Sequence, residues 1–145
     1  MSDLQKTIRI LLVEDDPERI KLMQAWAPQT VRLISATSGG RALGIIERDR
    51  GVVYQGIMLD HDLDRQALLQ SDFSVSGTAV VGSIIRNISP EVPVLIHSMN
   101  FGCAAVMTRR LEQAGFDVTR IPMSMMNKDD FLEWIEKVRE NWSEA

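Results

Sequence analysis

The feature that most limits what this chain can fold into is an alternation. Short aliphatic, β-branched runs are each followed by a stretch whose apolar positions recur at helical spacing. Residues 8–13 (IRILLV) form a continuous apolar run of the kind buried on both faces of a parallel sheet. Asp16-Pro17 then opens a helix, an N-cap acceptor followed by proline at the first helical position. Ile20, Met23 and Ala27 follow at helical spacing, flanked by Leu22 and Trp26, until Pro28 stops the segment. A second strand spans 31–36 (VRLISA); TSGG turns the chain, and Ala42, Ile45 and Ile46 mark a short helix ending near 49–51. A third strand is expected at 55–59 (QGIML), and Asp60 ends it. The next helix, 78–87, turns Val80, Val81, Ile84, Ile85 and Ile88 inward. A strand at 92–96 (VPVLI) leads to a helix over 100–114, stopped by Gly115. A short strand at 118–121 precedes a last helix, capped by Asn127, with Asp129 and Asp130 in its first turn. Phe131, Trp134, Ile135 and Val138 form the buried stripe of that helix, and Trp142 lies beyond it, free to fold back or to dock a partner. Strand and helix therefore alternate five times. That pattern predicts a parallel sheet with right-handed crossovers and helices on both faces.

Composition sets the outer bounds. A chain of 145 residues, 45% hydrophobic and 25% charged, suffices for one globular domain over 1–145, with 1–6 and 143–145 as flexible ends. A net charge of −4 argues against a nucleic-acid backbone as partner, and the adjacent Arg109 and Arg110 read as a solvated helix face. The single cysteine, Cys103, excludes an internal disulfide and fits a reducing, cytoplasmic setting. The apolar run at 10–13 is too short for a signal sequence or a membrane span.

In an open parallel sheet, ligands bind beyond the carboxyl ends of the strands. Strand one ends in Glu14-Asp15-Asp16, strand three in Asp60-His61-Asp62, and strand four in His97-Ser98-Met99-Asn100. Both histidines of the chain fall there. Two carboxylates about 4 Å apart repel by about 4 kcal/mol at an effective dielectric of 20, so converging acids must take up protons or hold a cation. Oxygen ligands from Asp15, Asp16 and Asp60 suit Mg²⁺, which also binds phosphate oxygens; Ser98 is placed to hydrogen-bond a phosphoryl oxygen. Asp16 also serves as a helix cap, and Asp64 reads as a solvated loop carboxylate. The segment 61–76 that follows Asp60 is sixteen residues long, beyond the length at which structureless loops become uncommon and functional.

With these residues in place, the sequence resembles the receiver domains of bacterial response regulators over nearly its whole length. LLVEDDPE is similar to the receiver's first strand and acidic pair, carried by Asp15 and Asp16. GIMLD is similar to the third strand with its phosphoacceptor aspartate, here Asp60. SGTAVVGSIIRN resembles the glycine-led third helix, and VPVLIHSMN the fourth strand with its hydroxyl residue, Ser98. The resemblance implies a flavodoxin-like α/β fold with strand order 2-1-3-4-5. It also implies phosphoryl transfer to Asp60 from a histidine kinase or a small phosphodonor. The Mg²⁺ would be held by Asp15, Asp16, Asp60 and the main-chain carbonyl of Asp62.

Three departures from the receiver pattern stand out. Receivers carry a lysine just before the proline after strand five, whereas this chain reads Arg120-Ile121-Pro122, with Lys128 further on as a conceivable substitute. No aromatic occupies the usual switch position in strand five, Phe116 lying too early. Histidines stand beside both Asp60 and Ser98. LDHDL together with HSMN resembles a divergent branch of the superfamily proposed to process cyclic phosphates. In that alternative His61 and His97 act as acid and base in a metal-dependent phosphoesterase, or add nitrogen ligands that shift preference toward Mn²⁺ or Zn²⁺. Phosphorelay signalling without an attached output domain is the primary expectation. The remaining one is a degenerate receiver used as a binding module.

Overall fold

The computed structural model describes residues 6–60 and 77–144. Five parallel strands, β1 (Ile8–Val13), β2 (Val31–Ala36), β3 (Gly56–Leu59), β4 (Val94–Ile96) and β5 (Val118–Arg120), form one sheet in the order β2-β1-β3-β4-β5. Five helices, α1 (Pro17–Trp26), α2 (Gly39–Arg48), α3 (Gly77–Asn87), α4 (Phe101–Gln113) and α5 (Lys128–Glu144), alternate with them. This is the parallel α/β sheet that the alternation predicts, in the flavodoxin-like order that the resemblance implies. β3 and β4 begin one and two residues later than the apolar runs suggest, and β5 ends at Arg120, one residue earlier.

Strand alternation divides the core in two. Side chains along a strand point to opposite faces in turn. Leu11, Val13, Ile57, Leu59, Val94 and Ile96 face one way, onto α2, α3 and α4 through Ala42, Ile46, Val80, Ile84, Met107 and Leu111. Ile10, Leu12, Met58 and Leu95 face the other way, onto α1 and α5 through Met23, Phe131, Trp134, Ile135 and Val138. The Trp26 and Phe131 rings meet at 5.7 Å between centroids, tying α1 to α5. Trp142 folds back onto this second cluster.

The helix ends follow the local chemistry. The Asp16 carboxylate accepts the Glu18 N–H at 2.9 Å, and Ser38 accepts the Arg41 N–H at 3.1 Å. Asn127 accepts the Asp130 N–H at 2.8 Å while Asp130 accepts the Asn127 N–H at 3.3 Å, the reciprocal arrangement of a capping box. Gly115, at φ +96°, ends the α4 segment in a left-handed conformation that other residues adopt with strain. On the other face of the sheet, Gly56 lets α5 lie close. A Cβ there would sit 2.9 Å from both Ile10 Cδ1 and Trp134 Cη2. No helix among the described residues is long and apolar enough to cross a membrane.

Candidate functional site

Register builds the site. Val13 pairs with Leu59, and Leu59 with Ile96, so the next residues along three adjacent strands are Glu14, Asp60 and His97. The backbone ladder continues past the strand ends: the Asp60 N–H donates to Val13 O and the His97 N–H to Leu59 O, both at 3.1 Å. Val13, Leu59 and Ile96 face α2–α4, so residues one step further along have the parity of Leu12, Met58 and Leu95 and face α1 and α5. All three are fully buried. Their candidate ligand atoms lie within 4.8 Å of one another.

Glu14 and His97 form a direct pair. Glu14 Oε1 is 3.0 Å from His97 Nε2, and Glu14 Oε2 accepts the Asp16 N–H at 3.1 Å. Burial pushes the Glu14 carboxyl up. The hydrogen bond and charge of His97, the Asp16 N–H and the Arg19 guanidinium together outweigh that, holding it below the ordinary glutamate value. With Glu14 ionised, Nε2 carries the proton and donates. His97 Nδ1 is shielded from solvent and has no hydrogen-bond partner among the described residues.

Arg19 enters from α1. Its Nη1 is 3.8 Å from Glu14 Oε1 and 3.8 Å from Asp60 Oδ2, and its Nε is 3.6 Å from Asp16 Oδ2. These are ion-pair distances, longer than the 2.7–2.9 Å of a charge-assisted hydrogen bond. Nothing in the sequence analysis singled out Arg19 or assigned Glu14 a role. Strand parity would have found Glu14, since counting in twos from Leu12 reaches Glu14 and passes over Asp15. Only its position on the first turn of α1 would have pointed to Arg19.

The sequence-derived site residues are placed as follows. Asp60 stands in the centre of the group. His97 is beside it, paired to Glu14. Ser98 is buried and its hydroxyl oxygen accepts the Asn100 N–H at 3.1 Å, opening α4. Asp15 is half-buried with both carboxylate oxygens shielded from solvent, and Asp16 caps α1. Neither belongs to the Glu14–Asp60–His97 group. His61, Asp62 and Asp64 lie outside the described residues. At the end of β5, Ile121 is half-buried against the α1/α5 cluster, the Arg120 guanidinium reaches Phe101 O at 3.4 Å, and Lys128 is exposed.

The donor set suits a divalent cation. Four carboxylates, from Glu14, Asp15, Asp16 and Asp60, stand at this edge with the permanent charge of Arg19, which leaves a negative surplus. Asp60 and Glu14 offer oxygens that Mg²⁺ or Mn²⁺ accepts, and an imidazole among them moves the preference toward Mn²⁺ or Zn²⁺.

No family model matches the sequence, and no curated protein matches it. Solved structures do. The signal receiver domain of a putative LuxO repressor protein from Vibrio parahaemolyticus is 22% identical, with 94% of this chain and 92% of that one covered at a TM-score of 0.63. The non-phosphorylated HemR receiver domain from Leptospira biflexa is 22% identical, with 91% and 94% covered at 0.67. NtrX from Brucella abortus is 22% identical at 0.64; the match covers 91% of this chain but only 27% of NtrX. At this identity the likeness is one of fold, and the fold is that of receiver domains.

Proposed function

We propose that this chain is a receiver-like signalling domain in which Asp60 accepts a phosphoryl group from a histidine kinase or a small phosphodonor, with a divalent cation bound beside it. The observation that carries the reading is the placement of Asp60. It is buried at the carboxyl end of the central strand, between Glu14 and His97 on the two neighbouring strands, at the edge where such sheets bind ligands. Asp60, Glu14 and Asp15 are the side chains that would hold Mg²⁺ or Mn²⁺, with the Asp62 carbonyl contributing by resemblance. The ion supplies charge neutralisation for the transferring group. Glu14 fixes the imidazole, and the Ser98 hydroxyl, whose oxygen accepts from Asn100, retains a proton to donate to a phosphoryl oxygen. Incubation with Mg²⁺ and acetyl phosphate is expected to give a labile adduct, seen by intact mass, that Asp60→Asn does not form. Equal behaviour of the two proteins rejects the reading.

One observation favours a second reading, a metal-dependent phosphoesterase acting on cyclic phosphates. A buried carboxylate orienting an imidazole, with the other ring nitrogen uncommitted, is the arrangement a general base or a metal-bound histidine requires. His61 would be the partner acid. Turnover of 2′,3′-cyclic nucleotides with Mg²⁺ or Mn²⁺, abolished in the His61→Ala/His97→Ala double variant, is the result this reading demands. A binding module with a vestigial site would show neither adduct, turnover nor metal-induced stabilisation.

A further inference from the structure

We infer that Arg19 is the cation that receives the phosphoryl oxygens on Asp60, an inference that rests on the reading of Asp60 as the phosphoacceptor. Phosphoryl transfer replaces the single charge of the Asp60 carboxylate with nearly two on the phosphoryl oxygens, in a site already rich in carboxylates. Something in the protein must meet them. At the end of β5, Ile121 carries no charge, Arg120 is engaged with Phe101 O, and Lys128 is exposed. Among the described residues, Arg19 is the one arginine or lysine within 4.0 Å of Asp60.

Its geometry is that of a group in waiting. A guanidinium whose bonding is complete docks its fork onto a carboxylate, as the exposed Arg48 does on Asp49 with two bonds of 3.1 and 3.0 Å. Arg19 instead stands 3.6–3.8 Å from three carboxylates. Its Nη1 is shielded from solvent yet makes no hydrogen bond among the described residues. A buried donor left unused is costly unless a ligand completes it. The 3.8 Å gap between Nη1 and Asp60 Oδ2 is too long for a hydrogen bond to the carboxylate itself. It leaves Nη1 free to donate to the oxygens that a phosphoryl group adds to Asp60.

The reaction balances without further reagents. A carboxylate oxygen of Asp60 forms the new O–P bond as the P–O bond of acetyl phosphate breaks, and acetate leaves with the electron pair. No net proton is moved. Arg19 donates its N–H bonds to the transferred phosphoryl oxygens and keeps its own charge throughout. Before transfer the same charge offsets Glu14, Asp16 and Asp60, and so opposes entry of a divalent cation. Removing it therefore has two effects of opposite sign, which a purely structural arginine would not produce.

The test uses the full chain with Arg19→Gln and Arg19→Lys, acetyl phosphate as donor, and MgCl₂ alone in a calorimetric titration. Loss of one charge-assisted hydrogen bond corresponds to about tenfold or more in adduct lifetime or yield. Arg19→Gln is expected to lose that much while binding Mg²⁺ several-fold more tightly. Arg19→Lys should recover part of the adduct. If wild type forms the adduct and Arg19→Gln matches it in yield and lifetime, the role of Arg19 is overturned while Asp60 stands. If wild type forms no adduct, the phosphoacceptor reading itself fails and takes this inference with it. Weaker Mg²⁺ binding in Arg19→Gln would also overturn it, by showing that the guanidinium only supports the fold of the site.

Discussion

The two edges of the sheet carry charged clusters made from the same residue types and bonded in different ways. At the amino edge, Arg48 donates two hydrogen bonds to Asp49, Tyr54 OH donates to Asp49 Oδ2 at 2.6 Å, and the Arg9 guanidinium lies 5.2 Å over the Tyr54 ring. The hydrogen bonds from Arg48 and Tyr54 hold the Asp49 carboxyl down at about 2. At the carboxyl edge, among the described residues, Arg19 faces three carboxylates with no hydrogen bond from Nη1, and His97 Nδ1 has no partner. A cluster that holds the fold uses up its bonding capacity within the fold. One that binds a ligand keeps capacity in reserve and accepts a strained electrostatic balance until the ligand arrives.

This contrast can be broken at several points. The largest effect belongs to Glu14, which is hydrogen-bonded both to His97 and to the Asp16 N–H. Glu14→Ala removes the partner of a buried imidazole, and denaturant unfolding should register a loss of about 3 kcal/mol or more. Asp60→Asn, by contrast, should leave stability within about 1 kcal/mol of wild type or raise it, because it removes a repelling charge. If the two variants lose equally, the carboxyl edge is structural throughout and the distinction fails. Next in size is the response to ions. Mg²⁺ or Mn²⁺ at a hundredfold excess over its dissociation constant should stabilise the native state by about 2.7 kcal/mol, read as a raised melting midpoint. Asp60→Asn should lose most of that gain, and Tyr54→Phe none of it.

Tyr54→Phe probes the amino edge alone. Loss of the 2.6 Å bond to Asp49 should lower stability by about 1 kcal/mol, with phosphoryl adduct formation unchanged. The smallest effect is the acid response. The folded Glu14 carboxyl is held below its unfolded value, so its stabilisation is complete above the ordinary glutamate range and is lost as pH falls through the folded value. Urea midpoints of wild type should therefore fall more steeply than those of Glu14→Gln as the solution is acidified below that range. Parallel curves would show that the Glu14–His97 pair adds nothing to acid stability.

Much of this was legible in the chain. The strand-helix alternation, the proline after Asp16, Gly115 after α4 and the Asn127–Asp130 cap are local signals, and the structure follows each of them. The carboxyl-edge location of the candidate site was also argued from the sequence, because alternation implies a parallel sheet and a parallel sheet fixes which edge is open. Within the acidic triplet Glu14-Asp15-Asp16 the sequence was less informative. The densest reading favours the two aspartates, yet Asp16 is engaged as a cap and the buried group takes in Glu14.

The sequence by itself determined the order of elements, the helix ends and the supply of carboxylates and imidazoles at the carboxyl edge, since each depends on residues within a turn or two of one another. Only the tertiary structure decided which of them meet. Strand register aligned Glu14, Asp60 and His97 across gaps of 46 and 37 residues, and the packing of α1 on that face brought Arg19 over them. Which charge faces which is set by the register of hydrogen-bonded strands and the angle of a packed helix. Neither is encoded in any short stretch of chain.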